Sequence, residues 1–449
     1  MHRLIMLPDV RRHTAVAAVV ATVLAGAAAL AASRTWQQPT FRQPVDIIEF
    51  PVTVVTATGT PVLGLGTDKF QVTIDGKPRR VVSADLVRYD QPKPEAAPAA
   101  AAPPSVAIWP EATRLRTSVS DSRIFVLVID ASTFNPGSGA EVIRAARKFI
   151  AGLQPLDMVG LFVFPTGAQI APTTDRKSID AALDKVIVLA REGSVEFGLR
   201  PSEIVDLSPM LRELSPSIAT ETFALNECHA PWGLVLSSIC DSGSCPVTIP
   251  TDCVARLWHE LNIRVTESEH DATTSFSLLR SLVGALADVP GHKTLVLLSG
   301  GITSSVRLDS RPDIGNLDTF VGREATRANT AIYTLFVDWR VNAQNTAEQR
   351  RARRTATSIA ADSEALSRSL DMFTGAAGGG FFKSLTGDAD FFFNRVSAET
   401  AAYYVLGVAP DPKDADGKPH PMKVTVKQSG VTVRGGQWVT VEKPQASTK

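Results

Sequence analysis

Four apolar segments, each of single-strand length, constrain the fold of this chain more than any other feature. The first ends at Asp130, and the others cover residues 158–164, 294–298 and 331–337. Strands that face water on one side alternate polar and apolar residues, whereas unbroken apolar runs are typical of strands buried on both faces of a parallel sheet. The sequence therefore predicts a parallel sheet with both faces covered.

Amphipathic segments with helical spacing alternate with these strands. They cover residues 138–153, 178–189, 276–286, 318–330 and 356–373. Ser138 and Glu141 have the spacing of a capping box, which predicts that the first of these helices begins at Ser138. The regular alternation predicts an α/β fold, a doubly wound and mainly parallel sheet with right-handed crossovers, over residues 121–395.

Short β-type runs flank this region on both sides, at residues 40–90 and 398–443. Alternating residues before Asp75-Gly76 are typical of a hairpin. Because each segment is too short to bury a core alone, we expect the two to join in one small β domain. Residues 91–118 are rich in Pro and Ala, which predicts an extended linker.

The amino terminus has the pattern of a secretory signal peptide, residues 1–33. Arginines precede an apolar run from Thr14 to Ala32, and Ala29-Leu30-Ala31 is a small-residue cleavage pattern. An uncleaved membrane anchor is the alternative, since nineteen residues just reach across a bilayer. With cleavage we expect no membrane span and an exported protein, periplasmic or extracellular.

The cysteines agree with export. All four lie in one stretch of the insertion predicted at residues 192–262, and they are Cys228, Cys240, Cys245 and Cys253. A clustered, even set in an exported chain predicts two disulfide bonds. Zinc is the alternative, because His229 and His259 lie nearby, but the paired spacing of structural zinc sites is missing. Four cysteines allow three pairings, which remain open.

Composition argues against several functions. The 449 residues carry 46 Lys plus Arg and 46 Asp plus Glu, so no dominant basic field favours nucleic acid. The sequence contains neither the G-x-S-x-G motif nor the H-E-x-x-H motif. We therefore expect a protein that is not an enzyme. Gly378-Gly379-Gly380 lacks the residues of a phosphate-binding loop and predicts a flexible loop.

The loop after the first strand carries the candidate site. In a parallel sheet, ligands collect where strands end, and Asp130-Ala131-Ser132-Thr133-Phe134 follows the first strand. This loop resembles the D-x-S-x-S motif of von Willebrand factor A domains, which are doubly wound α/β domains. The resemblance implies a metal-ion-dependent adhesion site, in which a magnesium-like cation binds the acidic group of a partner.

The match to that motif is partial. Asp130 and Ser132 fit, whereas Phe134 replaces the second serine and Gly300 stands where the family's distal Asp is expected. Further loop-face candidates are Thr173, Thr174 and Ser299. We expect Mg²⁺ or another divalent cation to bind weakly if at all. The alternative is structural: Asp130 accepts backbone N–H bonds, and Ser132 is a turn residue.

A narrower resemblance covers residues 45 to 440. The order of segments is similar to that of VWFA-related proteins of the Acidobacterial type. The matching motifs are Val62-Leu63-Gly64-Leu65, Phe70 to Arg79, Pro290 to Gly301, Phe373-Thr374-Gly375, Gly378-Gly379-Gly380, Tyr403 to Gly407 and Asp416 to His420. This resemblance implies an architecture more than an activity.

The sequence thus predicts a non-enzymatic binding protein of adhesion type. Its loop face and its disulfide-bearing insertion would contact an unidentified protein partner. The alternative is a structural envelope protein that binds nothing at the loop face, and a hydrolase is the third hypothesis.

Overall fold

A computed structural model describes residues 47–89, 122–188, 196–211, 251–305, 307, 310–343, 356–385 and 389–442. The predicted signal peptide, the predicted linker and three of the four cysteines lie outside these residues. No helix within the described ranges is both long enough and apolar enough to cross a membrane.

The strands of the described residues form two sheets. Their bounds are β1 Ile48–Thr56, β2 Phe70–Ile74, β3 Lys77–Arg88, β4 Ile124–Asp130, β5 Met158–Phe164, β6 Gln169–Thr173, β7 Lys293–Ser299, β8 Thr330–Val337, β9 Gly380–Ser384, β10 Ala402–Ala409, β11 Pro419–Val426, β12 Val431–Gly435 and β13 Trp438–Thr440. The helices are α1 Pro136–Ala151, α2 Arg176–Leu183, α3 Pro201–Leu207, α4 Thr251–Ala287, α5 Leu317–Arg327, α6 Arg340–Ala343, α7 Ala356–Ala376 and α8 Asp390–Glu399.

The six-stranded sheet has the order β6-β5-β4-β7-β8-β9. Its strands are parallel except for β6, which runs antiparallel to β5 at one edge. Every residue of β4, β5 and β7 is buried, as their unbroken apolar sequences predict. The strand that ends at Asp130 therefore lies in the middle of the sheet.

Helices cover both faces of this sheet. One apolar core packs α4, α5 and α7 against one face, and a second packs α1, α2 and α8 against the other. The mixed α/β class with a mainly parallel sheet is therefore confirmed.

The terminal segments form a second, seven-stranded antiparallel sheet, with the order β12-β1-β10-β3-β2-β11-β13. β1 pairs with β10 on one side and with β12 on the other, so strands from both ends of the chain interleave. Their inward side chains share one apolar cluster that includes Val52, Ile74 and Leu406. Neither segment completes this core alone, which is why they fold together.

Three local expectations need correction. Helix α1 begins after Asn135, whose side chain accepts from the Ser138 N–H at 2.8 Å, so Ser138 is not the N-cap. Helix α4 begins at Thr251, inside the predicted insertion, because its helical pattern continues through Leu257 and Leu261, which are buried. Gly378-Gly379-Gly380 leads into β9 and is closely packed rather than a flexible loop.

Candidate binding crevice

Asp130 ends the central strand β4 at the carboxyl edge of the six-stranded sheet. It lies level with Phe164, the last residue of β5, and beside the end of β7. In open α/β sheets the crevice forms where successive connections leave in opposite directions, and β4 is such a point, because β5 and β7 flank it. The side chain of Asp130 is fully buried at the base of this crevice.

Two hydroxyl groups satisfy the carboxylate of Asp130. Ser132 Oγ donates to one oxygen and Ser299 Oγ donates to the other, both at 3.0 Å. Burial raises the pKa of Asp130 to about 7, although the hydrogen bonds from the two serines lower it. The desolvated carboxylate thus has hydrogen-bond donors at both oxygens but no cation in contact with it among the described residues.

Direct hydrogen bonds join the loops that follow β4, β7 and β8. Thr133 Oγ1 accepts from the Gly300 N–H at 2.7 Å, and the Thr133 carbonyl accepts from Trp339 Nε1 at 2.8 Å. Arg340 donates to the Gly300 carbonyl at 2.7 Å. Loops from three neighbouring strands therefore hold one another through backbone and side-chain contacts.

These residues do not fit a divalent cation of the adhesion-site type. Phe134 has no side-chain oxygen to offer a cation, and its ring is fully buried in the core on the α1 face. A Cβ atom at Gly300 would lie 2.2 Å from the Thr133 carbonyl oxygen, so the loop leaves no room for a carboxylate side chain there. Within the described ranges, no group of three or more His, Cys, Asp and Glu residues has the arrangement of a metal site.

A cavity of about 560 Å³ opens above this network. Ser132, Thr133 and Arg340 contribute to its base, and the helix α4 forms one wall with Glu267 and Asp271. The amino-terminal half of α4 extends beyond the sheet edge, where it packs with α3 around Leu257 and other apolar residues. We call this cavity the crevice.

A second cavity, of about 480 Å³, lies beside the crevice. The two share Ser132 and Pro165 as lining residues. Apolar side chains dominate the second cavity, among them Val186 and Ile187, and Ile187 is 72% exposed. We call this second cavity the apolar groove.

The structure brings some of the sequence-predicted residues together and separates others. Asp130, Ser132 and Ser299 form one hydrogen-bonded cluster. Thr173 and Thr174 are not loop-face residues, because β6 runs antiparallel and places Thr173 opposite Val159, near the start of β5. They lie at the amino ends of the parallel strands, whereas Asp130 lies at the carboxyl ends.

Of the four cysteines, Cys253 alone belongs to the described residues. It lies half-buried near the start of α4, next to the small apolar cluster between α3 and α4, and it is not a free thiol. The pairing of the four cysteines lies outside the described residues and stays a prediction.

Sequence reasoning missed Thr133, Trp339 and Arg340. Thr133 lies in the loop after β4, but its hydroxyl accepts a hydrogen bond only because Gly300 approaches it in the folded chain. Trp339 and Arg340 follow β8 directly, so the rule that ligands collect at strand ends would have pointed to them. The adhesion motif specifies oxygen ligands only, so it carries no signal for a guanidinium.

No known family profile matches the chain, and no curated protein sequence is similar to it. Among solved structures, an aerotolerance-related membrane protein from Bacteroides fragilis overlaps 62% of this chain and 98% of its own, with 9% identity and a TM-score of 0.28. The conserved hypothetical protein BatB from Bacteroides thetaiotaomicron covers the same shares with 10% identity and a TM-score of 0.30.

The proximal thread matrix protein 1 of the mussel byssus overlaps 63% of this chain and 46% of its own, with 9% identity and a TM-score of 0.27. Overlaps of this size carry no argument about function.

Proposed function

We propose that this chain is an exported, non-enzymatic binding protein with a von Willebrand factor A-like domain, and that it takes a protein partner at the crevice. The observation that carries the proposal is the position of the crevice. It opens at the carboxyl edge of the central strands, directly above Asp130, where a doubly wound sheet collects ligands.

The rigidity of the crevice base supports a binding role. Hydrogen bonds join the loops after β4, β7 and β8, and β4 and β7 beneath them are entirely buried. A surface that is already ordered loses little conformational entropy when a partner binds.

The same chemistry supports a role without catalysis. Both oxygens of Asp130 already accept hydroxyl hydrogens, and no hydrogen bond among the described residues joins His270 to a hydroxyl of the crevice. A serine nucleophile is commonly activated by a histidine in hydrogen-bonding reach, and the described residues of the crevice form no serine–histidine pair; Ser132 and Ser299 donate to Asp130 instead. Export remains a proposal that rests on the signal-like amino terminus and the clustered cysteines.

Site-specific photo-crosslinking in the cells of origin tests the proposed binding role. The crosslinking residue replaces Glu267, which is 56% exposed on the crevice wall, and, as a control, Lys423, which is exposed on the antiparallel sheet. We expect a discrete protein adduct from position 267 and none from position 423.

A variant that fills the crevice separates specific from adventitious capture. Thr303→Trp should abolish the adduct, and the matched control Thr303→Ser should retain it, because Thr303 lines the crevice. Equal adducts from both crosslinker positions, no adduct from position 267, or an adduct unaffected by Thr303→Trp would each support a structural envelope role instead.

A further inference from the structure

We propose that the crevice and the apolar groove together recognise a partner segment that carries an acidic side chain next to an apolar one, with Arg340 as the anchor for the carboxylate. The inference rests on the proposed binding role of the crevice and names the chemistry of the partner.

Arg340 is a positive charge held in place at the base of the crevice. Its guanidinium stacks on the Trp339 ring, 4.6 Å from the ring centroid, and donates to the Gly300 carbonyl at 2.7 Å. No carboxylate of the described residues lies within ion-pair distance of it. A guanidinium fixed on an aromatic ring loses little freedom when it binds a carboxylate through its remaining N–H groups.

The other charges around Arg340 leave its charge uncompensated by direct contact. Arg264 pairs with Glu267 at 3.1 Å, so these two charges on the crevice wall balance each other. Asp362 accepts from the Ser202 hydroxyl at 2.5 Å and pairs with Arg200 at 3.5 Å.

Three further carboxylates lie near Arg340 or along the crevice. Asp130 accepts hydrogen bonds from two serine hydroxyls, Asp338 directly follows β8 and is buried, and Asp271 on α4 lines the crevice. Burial raises the pKa of Asp338 above its usual value, although its hydrogen bond with Ser363 and the charge of Arg340 lower it. A basic partner residue in the crevice would meet the positive charge of Arg340, whereas an acidic residue can pair with it.

The apolar groove supplies the second half of the recognition. It begins at Ser132 and Pro165, which also line the crevice, so one extended segment reaches both cavities. Ile187 exposes 72% of its surface there, and covering it would add hydrophobic stabilisation of about 25 cal/mol for each Å² buried. A partner segment with an apolar side chain next to an acidic one would place the first in the apolar groove and the second in the crevice.

A selection from random peptides tests the proposal. Displayed short peptides are selected on the purified full chain in buffer that contains EDTA, and the enriched peptides are synthesised. Fluorescence anisotropy then gives the dissociation constant of each peptide, and of its Asp→Asn or Glu→Gln counterpart, for the wild type and for Arg340→Gln. Arg368→Gln serves as the control, because Arg368 is an exposed, ion-paired arginine on α7.

We expect enriched peptides with an acidic residue beside an apolar one. Loss of the peptide carboxylate should weaken binding to the wild type by about ten- to hundredfold, as for other charge-assisted hydrogen bonds. The quantity compared is the ratio of the dissociation constants of the amide and the carboxylate peptide. In Arg340→Gln this ratio should fall close to one, and in Arg368→Gln it should stay at the wild-type value. An unchanged ratio in Arg340→Gln would overturn the inference.

A second pair of variants keeps the test decisive if Arg340→Gln folds poorly. Thr303→Glu places a negative charge in the crevice and should bind the acidic peptides more weakly than Thr303→Gln, which has a side chain of the same size without the charge. Equal binding to both variants counts against an acidic ligand.

The outcomes also separate this inference from the proposed function. Peptides that Thr303→Trp displaces but that lack acidic residues would overturn the inference and leave the binding role standing. A selection that enriches no peptide would count against both.

Discussion

The two ends of the six-stranded sheet differ in how their buried carboxylates are partnered. At the amino end, the fully buried Glu399 accepts from Arg395 at 2.5 Å, from Arg434 at 2.5 Å and from the Tyr333 hydroxyl at 3.1 Å. At the carboxyl end, the equally buried Asp130 has only hydroxyl donors, and Arg340 faces the crevice without a carboxylate in contact among the described residues.

The difference indicates different roles for the two ends. Glu399 belongs to α8, Arg434 to β12 and Tyr333 to β8, so the paired charges join the antiparallel sheet to the parallel one. Charges left unpaired in a cleft reduce stability, and such arrangements are enriched at functional sites. The amino end thus stabilises the fold, whereas the carboxyl end holds Asp130 and Arg340 without an ion pair among the described residues.

The largest expected effect is at the amino end. Glu399→Ala removes the acceptor of two partly buried guanidinium groups and should lower the free energy of unfolding by about 3–5 kcal/mol. Urea denaturation measures it. The control Glu141→Ala breaks an ion pair that is 53% exposed on both sides and should cost at most about 0.5 kcal/mol. Equal costs for the two variants would contradict the proposed role of Glu399.

Asp130→Asn should show how much the buried carboxylate of Asp130 lowers the free energy of unfolding, because this effect depends on pH. Because the pKa of Asp130 is raised to about 7, the folded state holds the proton more tightly than the unfolded state, and stability falls as pH rises from about 4 to 7. The variant lacks this loss, so it should gain about 2–3 kcal/mol relative to the wild type between pH 5 and pH 8.

Unfolding free energies of both proteins at several pH values provide the measurement. The matched control Asp68→Asn alters a carboxylate that is 74% exposed and should leave the pH profile of the wild type unchanged. Parallel profiles for Asp130→Asn and the wild type would show that burial does not destabilise the charged form of Asp130.

Gly379→Ala tests the close packing at the amino end. A Cβ atom at this position would lie 1.6 Å from the Ile332 carbonyl oxygen, so β9 must move away from β8, at a cost of about 2–3 kcal/mol. The control Gly284→Ala meets no atom within 4 Å on the exposed side of α4, and it should stabilise the helix by about 0.5–1 kcal/mol. Thermal unfolding of the two variants should therefore shift in opposite directions.

The smallest effect concerns the antiparallel sheet away from both ends. Burial lowers the pKa of His420, but hydrogen bonds to Asp75 at 2.8 Å and Asp416 at 3.0 Å raise it above its usual value overall. The protonated ring therefore contributes stability below pH about 6.5, and this contribution is lost as pH rises further.

His420→Gln should accordingly cost about 0.5–1 kcal/mol at pH 5.5 and less at pH 9, a small value because both carboxylates are partly exposed. Unfolding free energies at the two pH values measure it. A cost that grows with pH would reverse the sign and contradict the ion pairs of His420.

The buried strands were the most predictable part of the fold. The apolar run at residues 158–164 coincides with β5, since a strand covered on both faces must be apolar throughout. The edge strand β6 escaped prediction, because it has only five residues, includes Pro172 and lies half outside the core. Without β6, the sequence predicted Thr173 and Thr174 at the carboxyl ends of the strands, whereas they lie at the amino ends.

The candidate site was predicted only in part. The strand-end Asp and the nearby serine predicted Asp130 and Ser132 as weak metal ligands, and the structure shows them as hydrogen-bonded neighbours. The hydrogen bonds of Thr133 have no local signal, because its partners Gly300 and Trp339 lie 167 and 206 residues away in sequence. Arg340 is adjacent to Trp339 in sequence, but its contact with Gly300 depends on how the strands are ordered in the sheet.

The sequence by itself determined the alternation of buried strands and amphipathic helices, because burial selects residue types at fixed spacings that any short window reveals. Tertiary structure alone decided that Gly300 approaches the Thr133 carbonyl, that Phe134 turns into the core and that Arg340 reaches the crevice. Such contacts join loops distant in the chain, and their geometry depends on how the strands beneath them are ordered in the sheet.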